Sequence, residues 1–340
     1  MRVGIIGGGF GLRIQAPLIR LHPDMEVAAV STMMRHELPD EWAGWKQAPV
    51  HYKDWTEMLD REELELLVVS SLPSDHFRMV KRAIEQGLPV ICEKPFAMNS
   101  HESGKLLEMA TKSRAKVVVD FEWRYLPVRQ KVKELITNGA IGQILHFEYH
   151  ISSPQYARLL TAPRGWMGEK SKFGGMLGAV GSHMIDCLRW LAQDEIEIVH
   201  GTVHTHVPQG AGEKRDADDA FFVHGMMSSG FTFSIQLLSG VHHGFGSQLK
   251  IFGNKGSITL TDDRVLRFGE AGGQLTEIGL PAPKEAPSVI SAEAQAYYPA
   301  FYPFIDNVYR YIKFGQPDAD LPLIEDGHRN QTALDRILGS

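Results

Sequence analysis

The nine residues from Val3 to Gly11, VGIIGGGFG, constrain the fold more than any other stretch. Val3-Gly4-Ile5-Ile6 reads as a strand that runs directly into Gly7-Gly8-Gly9-Phe10-Gly11. Gly7 and Gly9 match the start of a G-x-G-x-x-G turn. The third glycine arrives one residue early, at Gly11, and Leu12 takes the expected place. Glycines here permit a tight turn and let backbone N–H groups approach a pyrophosphate at the N-terminus of the following helix. A glycine run alone occurs in many loops, so the chain downstream gives this one its weight. Strand patterns at Met25–Val30, Leu64–Ser70, Val90–Cys92 and Lys116–Phe121 alternate with helical patterns at Trp55–Asp60, Asp75–Gln86 and Ser100–Ser113. That βαβ spacing predicts a parallel sheet with right-handed crossovers.

At 340 residues the chain is long for one domain, and two are expected. Apolar residues at 43% and charged residues at 22% predict a soluble globular protein. A net charge of −6 argues against a nucleic-acid partner, which calls for a basic face. Only Cys92 and Cys187 are present, which suits a reducing compartment rather than a disulfide framework. The first apolar run, Val3–Ile6, is too short for a secretory signal, and no segment has the apolar length of a membrane span. A cytoplasmic protein with no membrane partner is the expectation.

The residue after the second strand separates the two dinucleotide cofactors, because an acid there bonds the 2′-hydroxyl of NAD. This chain offers Ser31-Thr32-Met33-Met34-Arg35, with no carboxylate. Neutral Thr32 beside Arg35 suits the 2′-phosphate of NADP, although a merely solvated Arg35 is compatible with NAD. Further on, Glu93-Lys94-Pro95 stands at the C-terminal end of the Val90–Cys92 strand, where open parallel sheets bind ligands. The heptapeptide Val90–Phe96 alone fits a surface ion pair beside a turn equally well.

Past residue 121 the pattern changes. A helix at Val128–Asn138 is followed by Gln143–Ser152, where Leu145, Phe147, Tyr149 and Ile151 alternate with polar residues. Further strands are predicted at Ile196–Val207, Ala220–Gly225, Phe231–Leu238, Gln248–Phe252 and Ser257–Thr261. A Gly- and Pro-rich loop over residues 269–292 precedes two closing helices, Tyr302–Phe314 and Leu323–Leu338. The expected class is α/β, with an α+β second domain over residues 122–340 built on a large, mainly antiparallel open sheet. One uncovered sheet face predicts a homodimer or homotetramer.

With these pieces in place the chain resembles the Gfo/Idh/MocA oxidoreductases. The matching segments are VGIIGGGFGLRIQAPL, the E-K-P turn, FEWRYLP at Phe121–Pro127, GGMLGAVGSHMID at Gly174–Asp186, and Asp326–Leu338. The resemblance implies a Rossmann NAD(P)-binding domain over residues 1–121 and reversible oxidation of sugars, cyclitols or related polyols. It implies that Lys94 contacts the reacting oxygen, that the bond before Pro95 is cis, and that Glu93 lies near the nicotinamide. Phe10 falls within the cofactor turn, and the resemblance implies that Ser71, Pro73 and His76 line the cofactor groove. It also marks His183, otherwise readable as a structural histidine, as catalytic. Asp186 either orients His183 or pairs locally.

One departure stands out: the family commonly carries Asp four residues before this histidine, and here the residue is Ala179. Two other functions therefore stay open beside a dehydrogenase, namely cofactor-assisted glycosidic elimination and a non-catalytic NADP-binding regulator. Arg164 and Trp166, with Tyr156, lie in a polar loop suited to covering a sugar, though core packing explains Trp166 equally well. His242 or His243 is a further pocket candidate. His204 and His206 share a strand face but lack a third ligand, and Cys187 four residues after His183 reads as packing, so no metal site is expected.

Overall fold

The computed structural model describes residues 1–33, 37–39, 42, 45, 47–280, 282 and 284–339. They form two compact units, Met1–Tyr125 with Pro283–His328, and Leu126–Ala282 with Arg329–Ser340.

In the first unit β1 (Arg2–Ile6) ends at the glycine turn, which leads through a π-helical turn at Gly11–Gln15 into α1 (Ala16–Arg20). Next come β2 (Glu26–Ser31), β3 (Val50–Tyr52), α2 (Trp55–Arg61), β4 (Leu66–Val69), α3 (Pro73–Glu85), β5 (Val90–Cys92), α4 (Ser100–Ser113) and β6 (Val117–Val119). All neighbours pair in parallel in the order β3-β2-β1-β4-β5-β6. The order reverses beside β1, and open α/β sheets bind ligands at such switch points. Val-, Leu- and Ile-rich strands are buried on both sides because helices cover both faces. Val3, Ile5, Val68 and Ile91 pack with α1, while Ile6, Leu67, Val69 and Val90 pack with Met58 of α2 and Met79 and Val80 of α3. The sequence reading missed β3, whose three residues lie in a polar stretch.

The second unit begins with α5 (Pro127–Thr137), β7 (Ile144–Ser152), α6 (Tyr156–Thr161), a π-helical turn at Leu177–Gly181 and α7 (Ser182–Ala192). Then follow β8 (Ile196–His204), a two-stranded ribbon of β9 (Gln209–Gly210) and β10 (Glu213–Lys214), β11 (Ala220–Met227), β12 (Thr232–Leu238), β13 (Gly246–Gly253), β14 (Gly256–Thr261), β15 (Val265–Glu270) and β16 (Thr276–Glu277). The eight-stranded sheet runs β16-β15-β14-β13-β7-β12-β11-β8. Its pairs are antiparallel except β12 with β7, which is parallel. Phe147, Phe221, Phe233, Ile235, Leu249 and Ile251 are buried on one face. The other face carries His146 and His150 of β7, His200 of β8 and His224 of β11, with Ile198 and Phe222 exposed.

The chain then returns to the first unit in α8 (Ala292–Phe314), before α9 (Ile324–Ile337). Phe301, Phe304, Ile305 and Val308 of α8 are completely buried in the same core as Val3 and Ile5. The sequence reading assigned everything after residue 121 to the second domain and began this helix at Tyr302. Pro299 and Pro303 both lie inside the helix, which begins ten residues earlier than that.

Candidate active site

Each unit presents a set of candidate side chains. In the first, Gly7 has φ +141°, and a Cβ there would lie 2.0 Å from the Ser70 carbonyl oxygen. Only glycine fits. Gly11 sits against Ile5 Cγ2 and Ser70, a Cβ there meeting each at 3.0 Å. It thus makes the close helix–strand contact, one residue earlier than the usual spacing. Beside Gly9 a Cβ would meet nothing within 4 Å, which leaves that backbone open to a ligand. Phe10 packs edge-on against Tyr297 of α8, centroids 5.1 Å apart. This turn has the cradle a dinucleotide pyrophosphate requires.

Thr32 is buried, its Oγ1 lying 2.7 Å from His51 Nε2. Arg35 lies outside the described residues. Ser71 is partly buried and its hydroxyl donates to Met79 Sδ, while Pro73 opens α3 as a buried residue. His76 is completely buried, with Nδ1 3.0 Å from Pro95 O and Nε2 3.3 Å from Ser71 O. Burial holds it neutral, its pKa lowered to about 4. A neutral ring donates its one N–H to only one of those carbonyls, and a side chain so enclosed packs between the E-K-P turn and the end of β4 and offers no surface to a cofactor.

The Lys94–Pro95 bond is cis, and Glu93 and Lys94 are partly buried at the C-terminal end of β5. Behind them stand two residues the sequence reading missed. The Gln15 amide donates to Glu93 Oε1 at 2.8 Å and to Asp120 Oδ2 at 2.7 Å. Burial raises Glu93 well above the usual carboxylate range, and the nearby Asp120 adds to this while Lys94 opposes it. Asp120 is completely enclosed, and burial pushes it up to about 6. Asp120 was recognisable by the rule that drew attention to Lys94, since it follows β6 as Glu93 follows β5. Gln15 carried no such signal.

In the second unit, His183 and Asp186 are buried one turn apart on α7, and Ala179 lies in the preceding π-helical turn. Asp218 holds the start of that turn, accepting the backbone N–H groups of Met176 at 2.9 Å and Leu177 at 2.8 Å. Burial pushes it up to about 6 against those two bonds. Arg164 is half-buried, and burial and the Arg215 guanidinium pull its pKa down. Trp166 is partly buried in a 3-10 turn at Gly165–Gly168. His242 is exposed and packs on Tyr156, centroids 4.4 Å apart. His206 lies beyond β8, its Nδ1 2.8 Å from Asp219 Oδ1 and its ring 4.6 Å from that of His204.

A family profile described as "Oxidoreductase family, NAD-binding Rossmann fold" matches residues 1–121, and one described as "GFO/IDH/MocA C-terminal domain" matches residues 129–259. The chain is 27% identical to an uncharacterized oxidoreductase of Synechocystis sp. over 275 residues, 78% of this chain and 72% of that protein. It is 25% identical to the myo-inositol 2-dehydrogenase of Thermotoga maritima, covering 76% of this chain and 74% of that enzyme. Among solved structures, levoglucosan dehydrogenase in complex with NADH superposes with a TM-score of 0.85 at 21% identity, over 100% of this chain and 96% of that one.

Proposed function

We propose that this chain, which belongs to the Gfo/Idh/MocA oxidoreductase family, oxidises a secondary alcohol of a sugar, cyclitol or related polyol, or reduces the corresponding ketone. It is an NAD(P)-dependent oxidoreductase. The observation that carries the substrate reading is the Lys94 turn, which stands at the C-terminal edge of the parallel sheet, two strands from the one that ends in the glycine cradle. The names of the relatives, an inositol dehydrogenase and a levoglucosan dehydrogenase, support the same class.

A nicotinamide dinucleotide held by the backbone of Gly7, Gly9, Phe10 and Gly11 supplies the hydride acceptor or donor. Ser71 and Pro73 extend that groove, and Glu93 borders the nicotinamide end. Lys94 donates to the reacting oxygen and stabilises the negative charge that grows there. His183 exchanges the hydroxyl proton, and Arg164, Trp166, Asp186 and His242 hold the sugar hydroxyls. The first unit carries the cofactor, and the second supplies most substrate contacts and the oligomer surface. The uncovered sheet face, with Ile198 and Phe222 exposed, supports a homodimer or homotetramer. NADP is the preferred cofactor because Thr32 stands where an acid would repel a 2′-phosphate. Among the described residues no helix is long and apolar enough to cross a membrane, which is compatible with a cytoplasmic enzyme.

Nicotinamide absorbance over a panel of polyols and keto-sugars, with both cofactors, tests this. Net turnover is expected. Product without net redox change would favour cofactor-assisted elimination, and cofactor binding without turnover would favour a regulator.

A further inference from the structure

Glu93 and Asp120 come from the ends of adjacent parallel strands, β5 and β6. One nitrogen, Gln15 Nε2, donates to an oxygen of each, so the two carboxyl groups face each other across a single amide. Gln15 and Asp120 are both completely enclosed. Gln15 Oε1 and Asp120 Oδ1 are buried with no hydrogen-bond partner. Doubly ionised, the pair would place a bare buried anion at Asp120 Oδ1 beside a second carboxylate. One proton removes that repulsion, because a carboxylic acid donates where a carboxylate only accepts. The other titratable groups acting on the pair are Cys92 on β5, Lys94 two residues after it, Glu122 after β6 and Tyr297 on α8. Of these only Lys94 brings a positive charge.

We propose that Glu93 and Asp120 hold one proton between them through neutral pH, latched by Gln15, and so present Lys94 with one negative charge instead of two. Asp120 and Gln15 are then positioning residues. A single charge behind it holds the Lys94 ammonium back from the reacting oxygen less than two charges do. This consequence rests on the role given to Lys94 above, whereas the shared proton does not. Burial raises both acids, in accord with a coupled pair whose proton belongs to neither residue alone.

The test is infrared difference spectroscopy on the full chain at about pH 8, well above the ordinary carboxyl range. The expected spectrum contains the carbonyl band of a protonated carboxylic acid that shifts in D2O, and both Asp120→Asn and Glu93→Gln remove it. Gln15→Leu keeps both carboxyl groups and shifts the band, which covers the case in which Asp120→Asn fails to fold. A wild-type spectrum without the band overturns the proposal, as does a band that none of the three variants alters. In single-turnover hydride transfer, Asp120→Asn displaces the alkaline limb of the rate profile to higher pH; a uniform loss at every pH would reduce Asp120 to a structural residue. Lys94→Met separates the two readings. If it transfers hydride at the wild-type rate while the band persists, the role of Lys94 falls and the shared proton stands.

Discussion

Alanine at Gly7 and alanine at Gly9 make opposite demands on the same turn. At Gly7 the backbone has φ +141°, and the new methyl would lie 2.0 Å from the Ser70 carbonyl oxygen. A side chain held in that region costs about 1–3 kcal/mol, and forcing a packed neighbour aside costs about 1–3 more. The sum, about 2–6 kcal/mol, is a large share of the 5–15 kcal/mol or so that holds a typical domain together. At Gly9 the methyl meets nothing within 4 Å, so folding should change by less than about 1 kcal/mol, in the stabilising direction if at all. If a pyrophosphate lies against that backbone, Gly9→Ala should nevertheless weaken cofactor binding by about tenfold or more, equivalent to about 1.4 kcal/mol. Thermal denaturation of the two variants, with NADH and NADPH titrations followed by nicotinamide fluorescence, measures both effects. A Gly9→Ala protein that binds both cofactors as tightly as wild type would refute the cradle. A Gly7→Ala protein with wild-type stability would refute the steric argument.

Lys94→Met should lower single-turnover hydride transfer on the order of 10²–10³-fold with cofactor affinity largely kept, and His183→Asn should lower it and flatten its pH dependence between about 5 and 8; wild-type rates in both would remove the site assignment. Thr32→Asp should shift cofactor preference from NADP towards NAD, and Arg35→Ala should weaken NADP alone, as dissociation constants for both cofactors will show. Asp218, raised in the fold from 3.8 to about 6, contributes stability that is complete below its unfolded value and lost as pH rises through about 6. Asp218→Asn keeps an acceptor for the Met176 and Leu177 N–H groups, so its melting temperature should gain on wild type between about pH 4 and 7; parallel melting curves would show that the carboxyl titrates normally. Light scattering should report a dimer or tetramer, and a stable monomer in dilute solution would free the uncovered sheet face of that role.

The nucleotide-binding half was legible because each of its signals is local. Glycines at 7, 9 and 11 follow a strand, apolar runs of strand length recur at βαβ spacing, and Lys94 follows β5 directly. Elsewhere the local signal misled. The helix predicted from Tyr302 begins ten residues earlier, and α8 runs through both Pro299 and Pro303, where the apolar residues between and beyond them are buried deeply enough to offset the missing N–H donors. In β15 the alternation Val265-Leu266-Arg267-Phe268 was too brief to separate from the loop after it. The site was legible only where one residue carried the chemistry. Gln15 and Asp120 are 105 positions apart, and neither signals the other until the fold brings the turn after β1 to the end of β6. The buried Asp218 is similarly defined by two backbone N–H groups 41 and 42 positions earlier.

The return of α8 to the nucleotide-binding unit bears on how such a protein can be inherited. A gene segment spanning only residues 1–125 would encode all six parallel strands, yet it would lack Phe301, Phe304, Ile305 and Val308, which fill the core against Val3, Ile5 and Leu18. The cofactor half therefore cannot be lifted out as a cassette with one crossover. Recombination that exchanges the whole second unit must join at three points, near residues 125, 283 and 328, and must leave α8 with the sheet it completes. Seen from the genome, residues 126–282 are the insert and the nucleotide-binding unit is the host.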